Sequence, residues 1–209
     1  RHAAGSPKVL LRFGLPDMMR GEETQLFGWL KGAERCPPLL ACLPGTHVKW
    51  VCVDDGLILR FESSLQGELY DILNRYSILT RGAGAGASPE PTREAFRRGV
   101  ALMRDQPDLS LSSAVFAVRS LQLARSLATE EAPAFLSGLL IGADIRDIAR
   151  PLLAAIPDAR AIALIGAQQL CLLYADALAA FGIAADSIDG RQAVVDGVAL
   201  FHRRRAEWE

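Results

Sequence analysis

Two short segments carry residue types suited to proton transfer and anion binding. Met19-Arg20-Gly21-Glu22-Glu23-Thr24-Gln25-Leu26-Phe27-Gly28 sets a cation, a glycine and two adjacent carboxylates ahead of an apolar helical pattern. A glycine lets the backbone turn tightly or approach a ligand. Carboxylates in a first helical turn face the positive end of the helix dipole and stay ionised more easily. A positioned, ionised carboxylate can accept a proton from a substrate hydroxyl. The alternative is an acidic first turn on an ordinary surface helix, which is standard helix-start chemistry. Leu43-Pro44-Gly45-Thr46-His47-Val48-Lys49-Trp50-Val51 is the second segment. Its Gly-Thr pair reads as a tight turn into a strand, whose N–H groups and hydroxyl can hold phosphate oxygens. Lys49 would add positive charge; the alternative is a plain turn before an edge strand.

The elements that must position these residues are legible in outline. Lys8–Phe13 reads as a short strand broken by Pro16 and Asp17, and Glu22 to about Gly32 as a helix with Leu26, Phe27 and Leu30 on one face. Residues 39–73 read as a β-meander and then a helix. Asp54-Asp55-Gly56 forms its hairpin turn, since Asp and Gly tolerate positive φ. Residues 81–89, rich in Gly and Ala, read as a flexible link. Two helices follow over 92–129, the first with Phe96, Val100 and Met103 at helical spacing. From Phe135 a long helix carries Gly138 and Gly142 on one face, where a neighbouring backbone can come close, and Pro151 ends or kinks it. Ala161–Ile165 reads as a buried strand, and Gly166-Ala167 turns it into a helix with Leu170, Leu173, Tyr174, Ala177, Leu178 and Phe181 in an amphipathic stripe. A strand-Gly-helix junction presents free N–H groups, where a nucleotide diphosphate and adenine can lie; an ordinary βα unit is the alternative. Asp189–His202 reads as the last helix.

Composition narrows the function classes. The chain has 209 residues, half of them hydrophobic, enough for a real core in one or two domains. A formal net charge of −1 argues against nucleic acid. The basic run His202-Arg203-Arg204-Arg205 suits a solvated helix end. No apolar run approaches the roughly 20 residues of a membrane span. Cys36, Cys42, Cys52 and Cys171 form no CxxC pair and fit a reducing cytosol. His2, His47 and His202 lack metal-ligand spacing. Neither a Walker-type loop nor GxGxxG is present, so a nucleotide would be bound in another way.

The RGEETQ and PGTHxKW segments together closely resemble the 2-dehydro-3-deoxygalactonokinase family, sugar-acid kinases of the actin-like superfamily. FESSLQGELYDIL at 61–73, FLSGLLIGADI at 135–145 and ALIGAQQLCLLYADAL at 163–178 fit in the same order. The likeness spans Pro16 to about Phe201. It implies an α/β fold, a ribonuclease-H-like (actin-like ATPase) nucleotide-binding domain over 39–209 with a helical insertion at about 82–132. Residues 1–38 are then the hinge or tail of a preceding domain. Family members begin with an Asp-Trp-Gly-Ser-Thr-like phosphate segment, which this sequence lacks. The chain is therefore expected to be the C-terminal two-thirds of a kinase, inactive alone, with its first domain as partner.

The resemblance further implies transfer of the ATP γ-phosphoryl group, with Mg²⁺, to the C6 hydroxyl of 2-dehydro-3-deoxy-D-galactonate in the cytoplasm. Glu22 is the expected base. Glu23 is its alternative, or holds Mg²⁺ through water. Gly45 and Thr46 are expected at the β/γ-phosphates, and Gly166, Ala167 and Gln168 on the adenosine side. Arg20 and Lys49 are expected to neutralise phosphate or the sugar-acid carboxylate. The partners are the sugar acid and ATP, with room for a homodimer, and neither nucleic acid nor membrane. The rival reading is a non-catalytic nucleotide-binding or regulatory domain.

Overall fold

The computed structural model describes residues 16–31, 38–83, 89–156, 159 and 161–206. The expected strand at Lys8–Phe13, Pro37, Cys36, His2 and residues 84–88 of the Gly/Ala link lie outside them.

Five described strands form one mixed sheet in the order β3-β2-β1-β4-β5. They are β1 (Leu39–Leu43), β2 (Val48–Asp54), β3 (Leu57–Ser64), β4 (Ile162–Gly166) and β5 (Ala185–Asp189). The first three make an antiparallel meander, while β4 runs parallel to both β1 and β5. The Asp-Gly turn between β2 and β3 has positive φ at Asp55 (47°) and Gly56 (71°), the conformation that matches strand twist in a two-residue hairpin. Strands β1, β2 and β4 are almost wholly apolar because both faces are covered.

Helices cover the two faces unequally. On one face α7 (Gln168–Ala180) and α5 (Ala132–Asp144) bury Leu40, Cys42, Trp50, Leu164 and Tyr174. On the other, α1 (Glu22–Trp29) and α8 (Gly190–Ala206) cover Ala41, Val51, Val53 and Ile165. A further core lies above α5, where α2 (Gln66–Tyr76), α3 (Pro89–Asp105) and α4 (Leu111–Leu123) gather around Met103, Val118, Leu136 and Leu139. The small face read on α5 is the contact: a Cβ on Gly138 would lie 2.0 Å from the Phe96 carbonyl oxygen of α3.

Three local findings differ from the sequence reading. Helix α1 ends at Trp29, short of the expected end near Gly32, and packs on α8. Residues 145–149 form a π turn that leads without a break into α6 (Arg150–Ala154). Pro151 lacks an N–H and cannot close the usual helical bond, and a single wide turn is a common way to carry a helix past such a defect. Strand β5 went unread because ADSID is polar and lies at a sheet edge, half solvated.

Candidate active site

Gly21 stands at φ 108° immediately before α1, a conformation that favours glycine. The acidic pair then folds back on its own helix start. The Arg20 N–H donates to Glu22 Oε2 at 2.7 Å, and the Gly21 N–H to Glu23 Oε2 at 2.7 Å. Both carboxylates therefore work as helix-start partners, each through one of its two oxygens. The Arg20 side chain is exposed.

Lys49 reaches the same neighbourhood from the sheet. Strand alternation turns it to the α1 side, where it is 5% exposed. Its Nζ donates to the Met18 carbonyl at 2.6 Å and to the Ser63 hydroxyl. Asp17 accepts from the Ser63 N–H at 2.7 Å and hydroxyl at 2.6 Å. The segment leading into Arg20-Gly21 is thus tied to β2 and β3. Lys49 uses its charge on that tie.

Pro44, which leads into the Gly45–Thr46 turn, meets the β4–α7 junction at the carboxyl ends of parallel β1 and β4. A Cβ on Gly166 would lie 3.3 Å from the Pro44 carbonyl oxygen. Gly190, which opens α8, packs on Gly166 so closely that its Cβ would lie 2.8 Å from Cα of Gly166. In open α/β sheets ligands settle in this crevice beyond the strand ends. A cavity of about 690 Å³ occupies it, lined by Gly166, Ala167 and Gln168 together with Gln25 of α1 and Asp189 and Arg191 at the start of α8. Gln25 lies one helical turn after Glu22, so α1 links the acidic pair to this crevice.

The two helix starts there differ. Asp189 Oδ1 accepts from the Arg191 N–H at 2.8 Å and caps α8. No side chain caps α7, whose N-cap is Ala167. Its first N–H groups are left to solvent or a ligand, the arrangement suited to an anion.

Gly45 also faces a smaller cavity of about 150 Å³, with Gln66, Gly67, Leu170 and Tyr174 around it. This shares Tyr70, Ser137 and Leu173 with a cavity of about 860 Å³ between α2, α3, α5 and α7. The Arg97–Asp176 ion pair at 3.0 Å borders the larger space. Mostly apolar walls with a few convergent polar groups suit a small organic ligand.

The structure thus gathers Gly45, Gly166, Ala167 and Gln168 around the strand ends, and Arg20, Glu22, Glu23 and Lys49 around the start of α1. Gln25, Asp189 and Arg191 were not singled out from sequence. The local signals were Gln25 at the end of RGEETQ and Asp189 just before a helix, an N-cap pattern.

The model of the 2-keto-3-deoxy-galactonokinase family matches residues 9–201. The chain belongs to that family. It is 35% identical over 193 residues to a protein named probable 2-dehydro-3-deoxygalactonokinase from Rhizobium meliloti (strain 1021), covering 92% of this chain and 60% of the relative. To the 2-dehydro-3-deoxygalactonokinase of Escherichia coli (strain K12) it is 34% identical over 183 residues, covering 87% and 58%. The chain therefore spans about three-fifths of these family relatives. A crystal structure assigned by name to a 2-dehydro-3-deoxygalactonokinase protein of Sinorhizobium meliloti superposes with a TM-score of 0.78 at 35% identity, over 90% of this chain and 61% of that one. The activator of the 2-hydroxyisocaproyl-CoA dehydratase from Clostridium difficile, solved with bound ADPNP, shares the fold at a TM-score of 0.52 and 16% identity, covering 94% and 71%.

Proposed function

We propose that this chain is the ribonuclease-H-like, nucleotide-binding part of a cytoplasmic, ATP-dependent 2-dehydro-3-deoxygalactonokinase, with α3 and α4 as its helical insertion. The observation that carries the reading is the meeting of Pro44, which leads into the Gly45–Thr46 turn, with the β4–α7 junction, where the start of α7 is uncapped. Phosphoryl transfer is mostly positioning and charge neutralisation, and this crevice offers both. The turn and the first N–H groups of α7 would receive phosphate oxygens. Gly166, Ala167 and Gln168 would line the adenosine side within the crevice beside the start of α8.

Glu22 would take the proton from the C6 hydroxyl on the oxygen it does not spend on the Arg20 N–H. Glu23 is equally anchored and remains the alternative base. Its unspent oxygen also fits a water-mediated Mg²⁺ contact. Among the described residues no group of three or more His, Cys, Asp or Glu side chains gathers as a metal site. Mg²⁺ is usually held by one or two carboxylates, substrate phosphates and several waters. Mg²⁺ would neutralise phosphate charge. Arg20 is free of the Lys49 tie and is the better placed of the two for the sugar-acid carboxylate. In a complete protein of the relatives' length, the remaining segment would supply the facing half of the phosphate clamp.

The test is a panel of 2-keto-3-deoxy sugar acids assayed with ATP, Mg²⁺ and the complete protein. The expected result is phosphorylation of 2-dehydro-3-deoxy-D-galactonate at the highest kcat/KM. ATP binding without turnover on any member would favour the non-catalytic alternative.

A further inference from the structure

At this end of the sheet the last pair between β1 and β2 is Leu43 with Lys49. Gly45, Thr46 and His47 lie beyond that ladder, so what touches them sets their shape. The start of α2 touches them in three ways. The Glu68 N–H donates to the Thr46 carbonyl at 2.9 Å. It is one of the helix-start donors that have no partner within their own helix, so the turn caps α2 while α2 holds the turn. The His47 ring donates through Nε2 to Glu68 Oε2 at 2.8 Å. Gly67 supplies the room for both bonds. A Cβ there would lie 2.1 Å from the Gly45 carbonyl oxygen and 2.8 Å from Cα of Thr46.

An anion-binding turn works through the direction of its peptide N–H groups. In a trans peptide the C=O and the N–H point in opposite directions. With the Thr46 carbonyl fixed on Glu68, the His47 N–H is turned away from α2, and a flip of that peptide would cost the Glu68 bond. Lys49 does not serve here, since its Nζ is bonded to Met18 and Ser63 on the α1 side.

We propose that Glu68 is a positioning residue for the nucleotide phosphates, acting with Gly67 through the Gly45–Thr46 turn: its N–H fixes the Thr46–His47 peptide and its carboxylate holds the His47 ring beside it. This rests on the functional reading above, since it names what shapes the same site.

The test compares Kd values for MgATP and for AMP, which lacks the β- and γ-phosphates, measured by calorimetry on the complete protein. The ratio of the AMP constant to the MgATP constant reports what the outer phosphates contribute. A change in overall stability or at the adenosine side moves both constants together and leaves the ratio alone. Glu68→Ala removes the bond to His47. Both side chains are half exposed, so the bond is worth about one ordinary hydrogen bond, and the ratio is expected to fall about two- to tenfold. Glu68→Gln should restore most of it, because an amide offers His47 both a donor and an acceptor. Gly67→Ala forces helix and turn apart and should lower the ratio further. Gly99→Ala is the control. Its Cβ would lie 2.3 Å from the Phe135 carbonyl oxygen, an equally tight contact in the seam of α3 and α5, and it should leave the ratio unchanged.

An unchanged ratio in Glu68→Ala overturns the proposal. So does a ratio in Glu68→Gln as low as in Glu68→Ala, because the hydrogen bond to His47 would then not be what positions the turn. A ratio lowered equally by Gly99→Ala overturns it as well, since general loosening would explain the effect. If Gly67→Ala does not fold, the two Glu68 variants decide. Absence of MgATP binding by the wild type itself overturns the functional reading, and this inference falls with it.

Discussion

Glu22 carries the chemistry in the proposed reaction, and its backbone bond shapes how a substitution should behave. In Glu22→Gln the amide oxygen can still accept from the Arg20 N–H, so the start of α1 is kept while the proton acceptor is lost. General-base assistance is worth roughly 10²–10⁴-fold in rate. The expected outcome is a kcat lower by about that factor with the KM for ATP nearly unchanged, read from steady-state kinetics of the complete protein. Glu23→Gln should be milder or should alter the Mg²⁺ dependence. A crippled Glu23→Gln beside an active Glu22→Gln would transfer the role to its neighbour. Activity in both would leave the pair as a helix start and nothing more. This pair was legible in sequence because its glycine, its charges and its helix are contiguous. Asp144 was not. It sits in FLSGLLIGADI, an apolar helical run, and its partners Trp50, Gln66 and Tyr174 come from three other elements.

At the scale of elements, close backbone contacts fix the geometry. Helices α1 and α8 meet through two glycines. A Cβ on Gly28 would lie 1.9 Å from the Ala193 carbonyl oxygen, and one on Gly197 would lie 2.1 Å from the Thr24 carbonyl oxygen. These are backbone atoms that cannot swing aside as a side chain can. Gly28→Ala is therefore expected to force the helices apart and to cost about 1–3 kcal/mol, the usual range for overpacking. Urea denaturation should show a lower midpoint with little change in slope. A midpoint equal to wild type would mean that the seam is looser than its geometry indicates. Sequence periodicity located α1, α7 and α8, because each presents an apolar or small face at helical spacing. It could not reveal which helices meet, since pairing depends on crossovers that leave no local pattern. Strand β5 escaped for a related reason: its stability comes from parallel pairing with β4, and its side chains are polar and half solvated.

At the scale of the whole molecule, the antiparallel meander was legible from strand-turn-strand punctuation, whereas the crevice exists only once β4 has crossed back beside β1. That crossover also seals Asp144 beneath the sheet, and global stability should register the burial. The carboxyl has an ordinary value of 3.8 and is raised to about 6 in the folded protein. Folding therefore favours the protonated form. Between these two values the native state holds more protons than the unfolded chain, so stability falls as pH rises through the interval. The contribution is complete below the unfolded value and lost above about pH 6. A difference of roughly two units corresponds to about 3 kcal/mol. Asp144→Asn does not titrate, while every other group titrates in both proteins and largely cancels. The variant's stability relative to wild type should thus increase by about that amount from pH 4 to pH 7, measured by chemical denaturation at each pH. A difference that stays constant with pH would mean that Asp144 titrates at its ordinary value and that its buried oxygen is satisfied as a carboxylate. A difference of the opposite sign would mean that the ionised form is the one the fold prefers.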